Sequence, residues 1–561
     1  MRRQQNQGGK GKRRQTRGRQ ADAASLQSVR ELIGPPPYSR PLLIEYLHQL
    51  QDHRGYLDMT QLTALATLMG LAPVEVFEVA SFYHHFHLLG DGEPPPPPVT
   101  VRVCDSISCT LSGANELTEQ LDDLAAETPF KLQKVPCVGR CETAPVAVVD
   151  GQVVTDATRE RVQWALQNRE PESEPEHVDY ATYLSTGGYN QLKEICADSS
   201  GRAVEEVINQ LDDARLRGMG GAGFPAGKKW RIVRGFQAPR YLAVNIDEGE
   251  PGTFKDRFYL ESNPNQFLEG MLIAARAIDA AAIYIYLRDE YGAGRRLLEL
   301  ELQRLREAPP CRLPNIHLRR GAGAYVCGEE SAMIESIEGK RGMPRQRPPY
   351  IAEQGLFGRP TLEHNLETLH WVPEILKKGA DWFAAQGRRG RSGLRSFSVS
   401  GRVRFPGVYT APAGITVREL INEHCGGMAE GHRLKGYLPG GASGGILPAS
   451  LDNLPLDFDT LNEYGCFIGS AAVIILSQED SVRDVALNAM RFFAHESCGQ
   501  CTPCRVGTAK AAALMQETEW DRDLLEELAV TMVDASICGL GQAAPNPLRC
   551  ALKYFPEEFQ S

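Results

Sequence analysis

Residues 217–230 read Arg217-Gly-Met-Gly-Gly-Ala-Gly-Phe-Pro-Ala-Gly-Lys-Lys-Trp230. The run formally contains G-x-G-x-x-G at Gly218, Gly220 and Gly223, the spacing of a dinucleotide-binding turn. That reading needs a strand immediately before the first glycine, and Val204 to Leu216 carry a helical pattern instead. What survives is local physics. Backbone without side chains lets N–H groups approach a phosphate, and Lys229 adds a charge. The loop lies in a stretch, residues 178–390, that alternates helix and strand signals and is read as one α/β domain.

Two more loops of that domain repeat the theme. Asn245-Ile-Asp247-Glu248-Gly249-Glu250 sets three carboxylates within four residues, bracketed by glycine and proline, so it is a loop and not a solvated helix face. Carboxylates hydrogen-bond ribose hydroxyls and repel a 2′-phosphate, which favours NAD over NADP. Gly321-Ala-Gly-Ala-Tyr325-Val-Cys-Gly328-Glu329-Glu330 again puts open backbone beside acids. Together the loops predict a nucleotide-sized pocket.

Working outward, the prolines Pro94 to Pro98 form an extended spacer, and the charged run Asn168 to His177 is a second break. Residues 1–39 are read as a disordered basic tail, with eight Lys and Arg in the first twenty positions. Residues 40–93 are helical, with Asp58 and Gln61 spaced as a capping box before Leu62, Leu65 and Leu68. Residues 99–167 open on the strand-like Val99 to Val103 and hold a helix near Leu117 to Ala125. A strand pair is expected around Asp150-Gly151, so the unit is a small α/β domain. Residues 395–480 are short strands with Gly/Pro turns, a β-rich module. Residues 481–561 are helical, and the stripe Val482, Val485, Ala486, Ala489, Met490, Phe493 is core packing.

Cysteines carry the sharpest signal. Cys104, Cys109, Cys137 and Cys141 form two pairs, each where a strand ends in a loop, which suits Zn²⁺ or a [2Fe–2S] cluster. Spacing leaves both open, with iron–sulfur slightly favoured because structural zinc pairs are usually tighter. Cys498, Cys501 and Cys504, with Cys538 farther on, follow the C-x2-C-x2-C-plus-one pattern of [4Fe–4S], a spacing that zinc uses less often. The other six (Cys196, Cys311, Cys327, Cys425, Cys466, Cys550) are read as isolated packing residues. No Cys–His pairing or serine elbow suggests nucleophilic catalysis.

Composition supports this setting. Hydrophobic residues make 42% and charged residues 24% of 561, a soluble globular balance, and a net charge of −10 argues against a nucleic-acid binder. Met271 to Leu287 is the most apolar stretch, but Arg276 and Asp279 interrupt it, so it reads as a helix entering the strand Ile283–Leu287 and not a membrane span. With no signal-peptide core behind the tail, the expected compartment is cytoplasmic. Thiols stay reduced there, which favours metal sites over disulfides.

The segments Arg217–Trp230, Asn245–Arg257, Gly321–Ser331, Glu338–Tyr350 and Glu496–Thr508 resemble, in this order, the family of flavin- and NADH-binding subunits of respiratory complex I, whose members also serve NAD-reducing hydrogenases and NAD-dependent formate dehydrogenases. The likeness covers roughly 185–558. Residues 40–165 resemble the thioredoxin-like [2Fe–2S] subunit that accompanies it, here joined in one chain. The resemblance implies a ubiquitin-like, β-grasp-like module at 395–480. It also implies FMN and NAD(H) among Arg217, Gly218, Gly220, Gly221, Gly223, Phe224, Lys229, Asn245, Asp247, Glu248, Glu250, Tyr325, Gly328, Glu329, Glu330, Tyr350 and Asn365. The eight cysteines of the two sets would be the cluster ligands.

Met219 and His364 depart from the family's usual Arg and Asn, near the phosphate of FMN. Hydride transfer runs through the flavin, so no side-chain acid or base is required. Within the family, a fused chain points away from standard complex I. A bifurcating hydrogenase subunit usually has a cysteine-rich extension, for which the stretch after Cys538 leaves no room. The fused hydrogenase subunit often has an incomplete [2Fe–2S] set, whereas all four cysteines are present here. The expectation is therefore the β subunit of an NAD-dependent formate dehydrogenase, whose partner carries a Mo/W-pterin and further iron–sulfur clusters. Its alternatives are the diaphorase subunit of an NAD-reducing NiFe hydrogenase, a complex I-type dehydrogenase, and a zinc-stabilised scaffold without redox turnover.

Overall fold

A computed structural model describes residues 18–169 and 173–559. The chain divides into two compact units, with the division between Pro96 and Pro97.

The first unit is helical. Its opening helix, Ala23–Ile33, starts where the Asp22 carboxylate accepts from the Ser25 N–H, and Val29 is buried. The disordered tail expected over 1–39 is therefore corrected for residues 22–33, because a capped helix with an apolar face packs on its neighbours. Residues 1–17 lie outside the described residues. Helices Leu43–Arg54, Met59–Met69 and Pro73–Phe82 follow, and the Asp58–Gln61 capping box is formed.

The second unit begins with a four-stranded sheet. Its order is Lys131–Val135, Thr100–Cys104, Ala147–Val149, Gln152–Val154, the first pair parallel and the others antiparallel. Helix Ala114–Glu127 lies along it, and the last two strands turn at Asp150-Gly151 as expected.

Next comes the α/β domain, a wholly parallel sheet ordered Thr361–Asn365, Arg240–Ile246, Ala280–Leu287, Asn315–Arg320. Ala280–Leu287 reads as a nearly continuous apolar run because helices cover both faces of such a sheet. Phe267 and Met271 of helix Pro264–Ala277 pack with Leu369 and Val372 of helix Leu366–Lys378 in its core. Parallel strands put all four carboxyl ends on one edge, where ligand crevices form.

A five-stranded mixed sheet follows, ordered Gly407–Pro412, Leu394–Gly401, Ala472–Ser477, Leu434–Leu438, Leu447–Pro448, with helix Val417–Glu423. The chain closes on helices Val482–Glu496, Thr502–Leu514, Arg522–Ala535, Gly539–Ala543 and Asn546–Tyr554. The whole stripe from Val482 to Phe493 is buried. Among the described residues no helix is long and apolar enough to cross a membrane.

Candidate functional site

The glycine loop lies against the carboxyl edge of the parallel sheet. Register pairs Asn365 with Asn245, so residues at the carboxyl ends of two adjacent strands stand side by side near the loop. A Cβ on Gly220 would stand 3.0 Å from that of Asn365, and one on Gly328 would stand 3.2 Å from the Asp247 carbonyl. At both positions a side chain would press on its neighbour, so glycine lets the loops pack closely against the strand ends. The Asn245 side-chain amide donates to the Gly328 carbonyl at 2.9 Å and to Glu363 at 3.2 Å, joining its own strand end to the turn Tyr325–Gly328 and to strand Thr361–Asn365. Asp247 Oδ2 is buried with no hydrogen-bond partner among the described residues. A bound ligand's hydroxyl or N–H would satisfy it. These features fit a nucleotide.

Charge in the pocket is arranged by the expected Glu330 and by a partner without a sequence signal, Glu363. Lys229 Nζ sits 2.8 Å from Glu363 and 3.7 Å from Glu330. Burial alone would lower its pKa, but the two carboxylates outweigh burial and hold the ammonium charged. Glu330 is also held by Arg347 at 2.8 Å. Behind Asn365 lies a buried cluster in which Lys255 Nζ is 2.9 Å from both Asp256 and Glu367 and donates to Asn365 Oδ1 at 3.4 Å. Asn365 donates back to Asp256. Lys255 and Asp256 stand inside the quoted motif, but only the fold reveals that Glu367 and Glu363 complete it.

Several expected residues are committed elsewhere. Arg217 turns away from the pocket, 2.7 Å from Asp459 and over the Phe458 ring, and ties the glycine loop to the β module. Glu248 accepts from the Asp256 and Arg257 N–H groups at 2.8 and 3.1 Å and from the Tyr291 hydroxyl, so it caps helix Lys255–Ser262. Glu329 caps helix Glu330–Ile337 through the Ser331 and Ala332 N–H groups. Phe224 and Tyr350 are open to solvent, 42% and 59% exposed, as ligand-stacking faces would be before a ligand covers them. Gly218 closes the loop by donating to the Phe224 carbonyl at 2.8 Å. Gly221 and Gly223 adopt positive φ there, as glycine allows. Buried His364 accepts from Trp230 Nε1 at 2.7 Å, which requires a neutral ring, and burial holds its pKa well below the usual range.

The turn Tyr325–Gly328 links this pocket to a cysteine site. Tyr325 donates its hydroxyl to Glu250, whose other oxygen accepts from the Ser443 N–H at 2.7 Å. The Tyr325 N–H donates to Glu496 at 2.8 Å, at the end of the helix that leads into Cys498. Burial raises the Glu496 carboxyl to about 7. Val326, next in line, lines one cavity together with Cys498, Cys501, Cys504 and Cys538. Four thiols on one cavity, with Cys501 at the N-terminus of helix Thr502–Leu514, make a donor set that fits [4Fe–4S].

The other set is equally convergent. Cys137 and Cys141 Sγ lie 3.3 Å apart, and the neighbouring Cys109 and Cys137 thiols, with burial, push the Cys104 thiol's pKa up. All four are buried. They gather beyond the carboxyl ends of the parallel strands Thr100–Cys104 and Lys131–Val135, with Cys109 on the short helix Ile107–Leu111, which fits a [2Fe–2S] cluster. The α/β domain seals the site. Phe254 packs on Cys137 and Cys141, Arg257 donates to the Gly139 carbonyl at 2.8 Å and pairs with Glu142, and Arg288 donates to the Cys137 carbonyl at 2.6 Å. Of the cysteines read as isolated, four are paired. Cys466 and Cys550 Sγ lie 3.5 Å apart, and burial together with the neighbouring Cys196 pushes the Cys311 thiol up to about 12. Each pair is distant in sequence, so spacing gave no sign of it.

Comparison with known proteins agrees with this geometry. Residues 211–374 match the Nuo51 FMN-binding domain, 29–170 the thioredoxin-like [2Fe–2S] ferredoxin, 396–447 the SLBB domain, and 484–561 the NADH-ubiquinone oxidoreductase-F iron–sulfur binding region. An NADH-quinone oxidoreductase subunit of Rhizobium meliloti is 40% identical over 394 residues, covering 68% of this chain and 93% of that protein. The mitochondrial NADH-ubiquinone oxidoreductase 51 kDa subunit of Neurospora crassa is 38% identical over 397 residues, covering 67% and 80%. Among solved structures, a chain of an NAD⁺-reducing [NiFe]-hydrogenase in the air-oxidised state superposes with a TM-score of 0.81 at 33% identity, covering 93% of both chains.

Proposed function

The chain belongs to the complex I 51 kDa family of NADH-binding flavoproteins, and from that premise we propose that it is the NAD-handling β subunit of a formate dehydrogenase. It is an oxidoreductase subunit whose cofactors are FMN, NAD(H), [2Fe–2S] and [4Fe–4S]. Its partner in this reading carries the formate site, a molybdenum or tungsten pterin and further clusters.

FMN supplies the exchange of a hydride pair for single electrons. The chain's own residues provide position and selectivity. The glycine-loop N–H groups and Lys229 hold the phosphate, Asn245, Asp247 and Asn365 orient the ligand's polar edge, and Glu250 and Glu330 face the NADH ribose. Phe224 and Tyr350, open to solvent, would offer aromatic faces to the ligand. One observation carries the electron-conduit reading: a single turn serves both sites. Gly328 accepts from Asn245 in the pocket, and Val326, two residues earlier, lines the cavity of Cys498 and Cys538. Electrons leaving the pocket thus have a cysteine site one turn away.

The complete set Cys104, Cys109, Cys137 and Cys141 favours a formate dehydrogenase. The full-length likeness to the hydrogenase chain supports a second reading, the diaphorase subunit of an NAD-reducing hydrogenase. Isolation of the native complex under mild conditions, with metal analysis and two assays, separates them. Molybdenum or tungsten with formate-dependent NAD⁺ reduction is expected. Nickel with hydrogen-dependent NAD⁺ reduction overturns the formate reading in favour of the second.

A further inference from the structure

Away from the pocket and the cysteine sites, the helical unit brings two imidazoles and a carboxylate together. His48 and Asp52 stand one turn apart on one face of helix Leu43–Arg54. His85 lies in the turn that follows helix Pro73–Phe82. One ligating atom from each of the three lies within 4.8 Å of the other two. The His48 and His85 rings overlap at 4.9 Å between centroids, inclined by 48°.

The position of His85 is imposed by its neighbours. Gln51, the residue before Asp52, donates to the His85 carbonyl at 2.7 Å and accepts from the His87 N–H at 2.6 Å. That two-point clamp binds the turn to the same helix that carries His48 and Asp52, so the three side chains are held on one framework. Burial is graded across the group: His48 is buried, His85 half-buried and Asp52 exposed. The group therefore opens to solvent on its carboxylate side, which gives an entry path.

We propose that His48, Asp52 and His85 bind one divalent first-row cation of the zinc type, separate from the iron–sulfur sites. Two imidazole nitrogens and one carboxylate oxygen are a borderline donor set. They suit Zn²⁺ and leave a fourth tetrahedral position for water, whereas Mg²⁺ and Ca²⁺ take nearly all-oxygen sets. Metal–ligand bonds of about 2.0–2.2 Å bring tetrahedral ligand atoms to roughly 3.4 Å from one another. The exposed Asp52 and half-buried His85 supply that closure by side-chain rotation, with the buried His48 as the fixed point. The cation would fasten the turn 83–87 to helix Leu43–Arg54 and has no redox step.

The test uses the full chain with its clusters in place, stripped of loose metal with EDTA and equilibrated with one equivalent of zinc sulfate. Zinc and iron are counted in the same sample after gel filtration, and zinc K-edge absorption reads the ligand atoms. One retained zinc per chain is expected, with nitrogen and oxygen neighbours only and an undiminished iron content. Asp52→Asn and His85→Gln should each weaken retention at least about tenfold, a common loss when a metal site is impaired. Asp52 is on the surface, so its variant folds even if a histidine variant does not. Three results overturn the proposal: no zinc retained, sulfur neighbours at about 2.3 Å with matching iron loss, or equal retention by Asp52→Asn and the parent chain.

Discussion

Cys104, Cys109, Cys137 and Cys141 are all buried, whereas Cys498 and Cys501 of the second set are partly exposed. The difference is one of construction. The first set gathers beyond the carboxyl ends of two parallel strands, and another domain closes over it through Phe254, Arg257 and Arg288. The second set is assembled from helix ends, faces the Tyr325–Gly328 turn on its inner side and carries the apolar Ile537, 37% exposed, on its outer side. An enclosed site can exchange electrons only through the protein that encloses it. A site with one face on the pocket and one on the surface can pass them out of the chain.

Cysteine removal breaks that comparison most directly. Cys538→Ala should abolish electron delivery from NADH to an external one-electron acceptor that depends on the exposed site, while NADH still bleaches the bound flavin. Cys141→Ala should erase the [2Fe–2S] signal in electron paramagnetic resonance and leave acceptor reduction largely intact. Equal loss of acceptor reduction in both variants would show that the exposed set is not the exit.

Arginine removal sharpens the structural half. Arg288 is buried and donates to the carbonyls of Cys137 and Glu248 and to Glu290 at 3.0 Å. Arg288→Met leaves those buried acceptors without their charged donor, which costs about 3 kcal/mol. Arg505, at the exposed set, donates to the Gly499 carbonyl from a solvated position, and exposed contacts of that kind contribute little. Arg505→Ala should change stability by less than about 0.5 kcal/mol. Thermal melting of both variants under one set of conditions checks the contrast.

The same contrast explains what could be read in the sequence. Both cysteine sets were legible as metal-binding groups because ligand spacing is local, although it left zinc and iron–sulfur open for the first, and the strand pair around Asp150-Gly151 was legible because its turn is local too. The parallel sheet was legible only as alternation. Its register, which sets Asn365 beside Asn245 and brings Glu363 to Lys229, is a non-local fact with no local signature. Direction was hidden as well. Arg217 and Glu248 sit in the right loops, but whether a side chain faces the pocket or caps a helix depends on neighbours hundreds of positions away or across a turn. Asp22 could have been found, since an Asp before Ala23-Ala-Ser25 is a helix-start signal. The basic composition ahead of it masked that signal.

The turn between the two regions gives a smaller, specific effect. Glu250 is buried, and burial raises its pKa against the bonds from Tyr325 and Ser443. Glu250→Gln keeps an acceptor oxygen and removes the charge that repels a 2′-phosphate. The ratio of kcat/KM for NADPH to that for NADH should rise about tenfold, equivalent to roughly 1.4 kcal/mol. Steady-state assays with both nucleotides check it, and an unchanged ratio would remove Glu250 from the selectivity argument.

Acid tests the scaffold that the two regions share. His370 lies in helix Leu366–Lys378, which begins at Asn365, and its ring packs on Tyr259 with centroids 4.0 Å apart. Burial drives its pKa down to about 3, so the folded ring stays neutral through the mildly acidic range. In the unfolded chain an imidazole takes up its proton near pH 6.5. Above that pH the group is neutral in both states and costs nothing. Between about 6.5 and 3 only the unfolded state binds the proton, so stability falls by roughly 1.4 kcal/mol for each unit of acidification. His364, also held neutral by burial, adds to the slope in the same direction. His370→Gln retains an acceptor for the Gln266 amide, which reaches His370 Nε2 at 3.1 Å, and removes the titration. The variant should melt close to the parent at pH 7.5, and its melting temperature should drop less between pH 7.5 and 5. If the parent and variant drop alike, the acid sensitivity of the flavin domain arises from carboxylates and not from this ring.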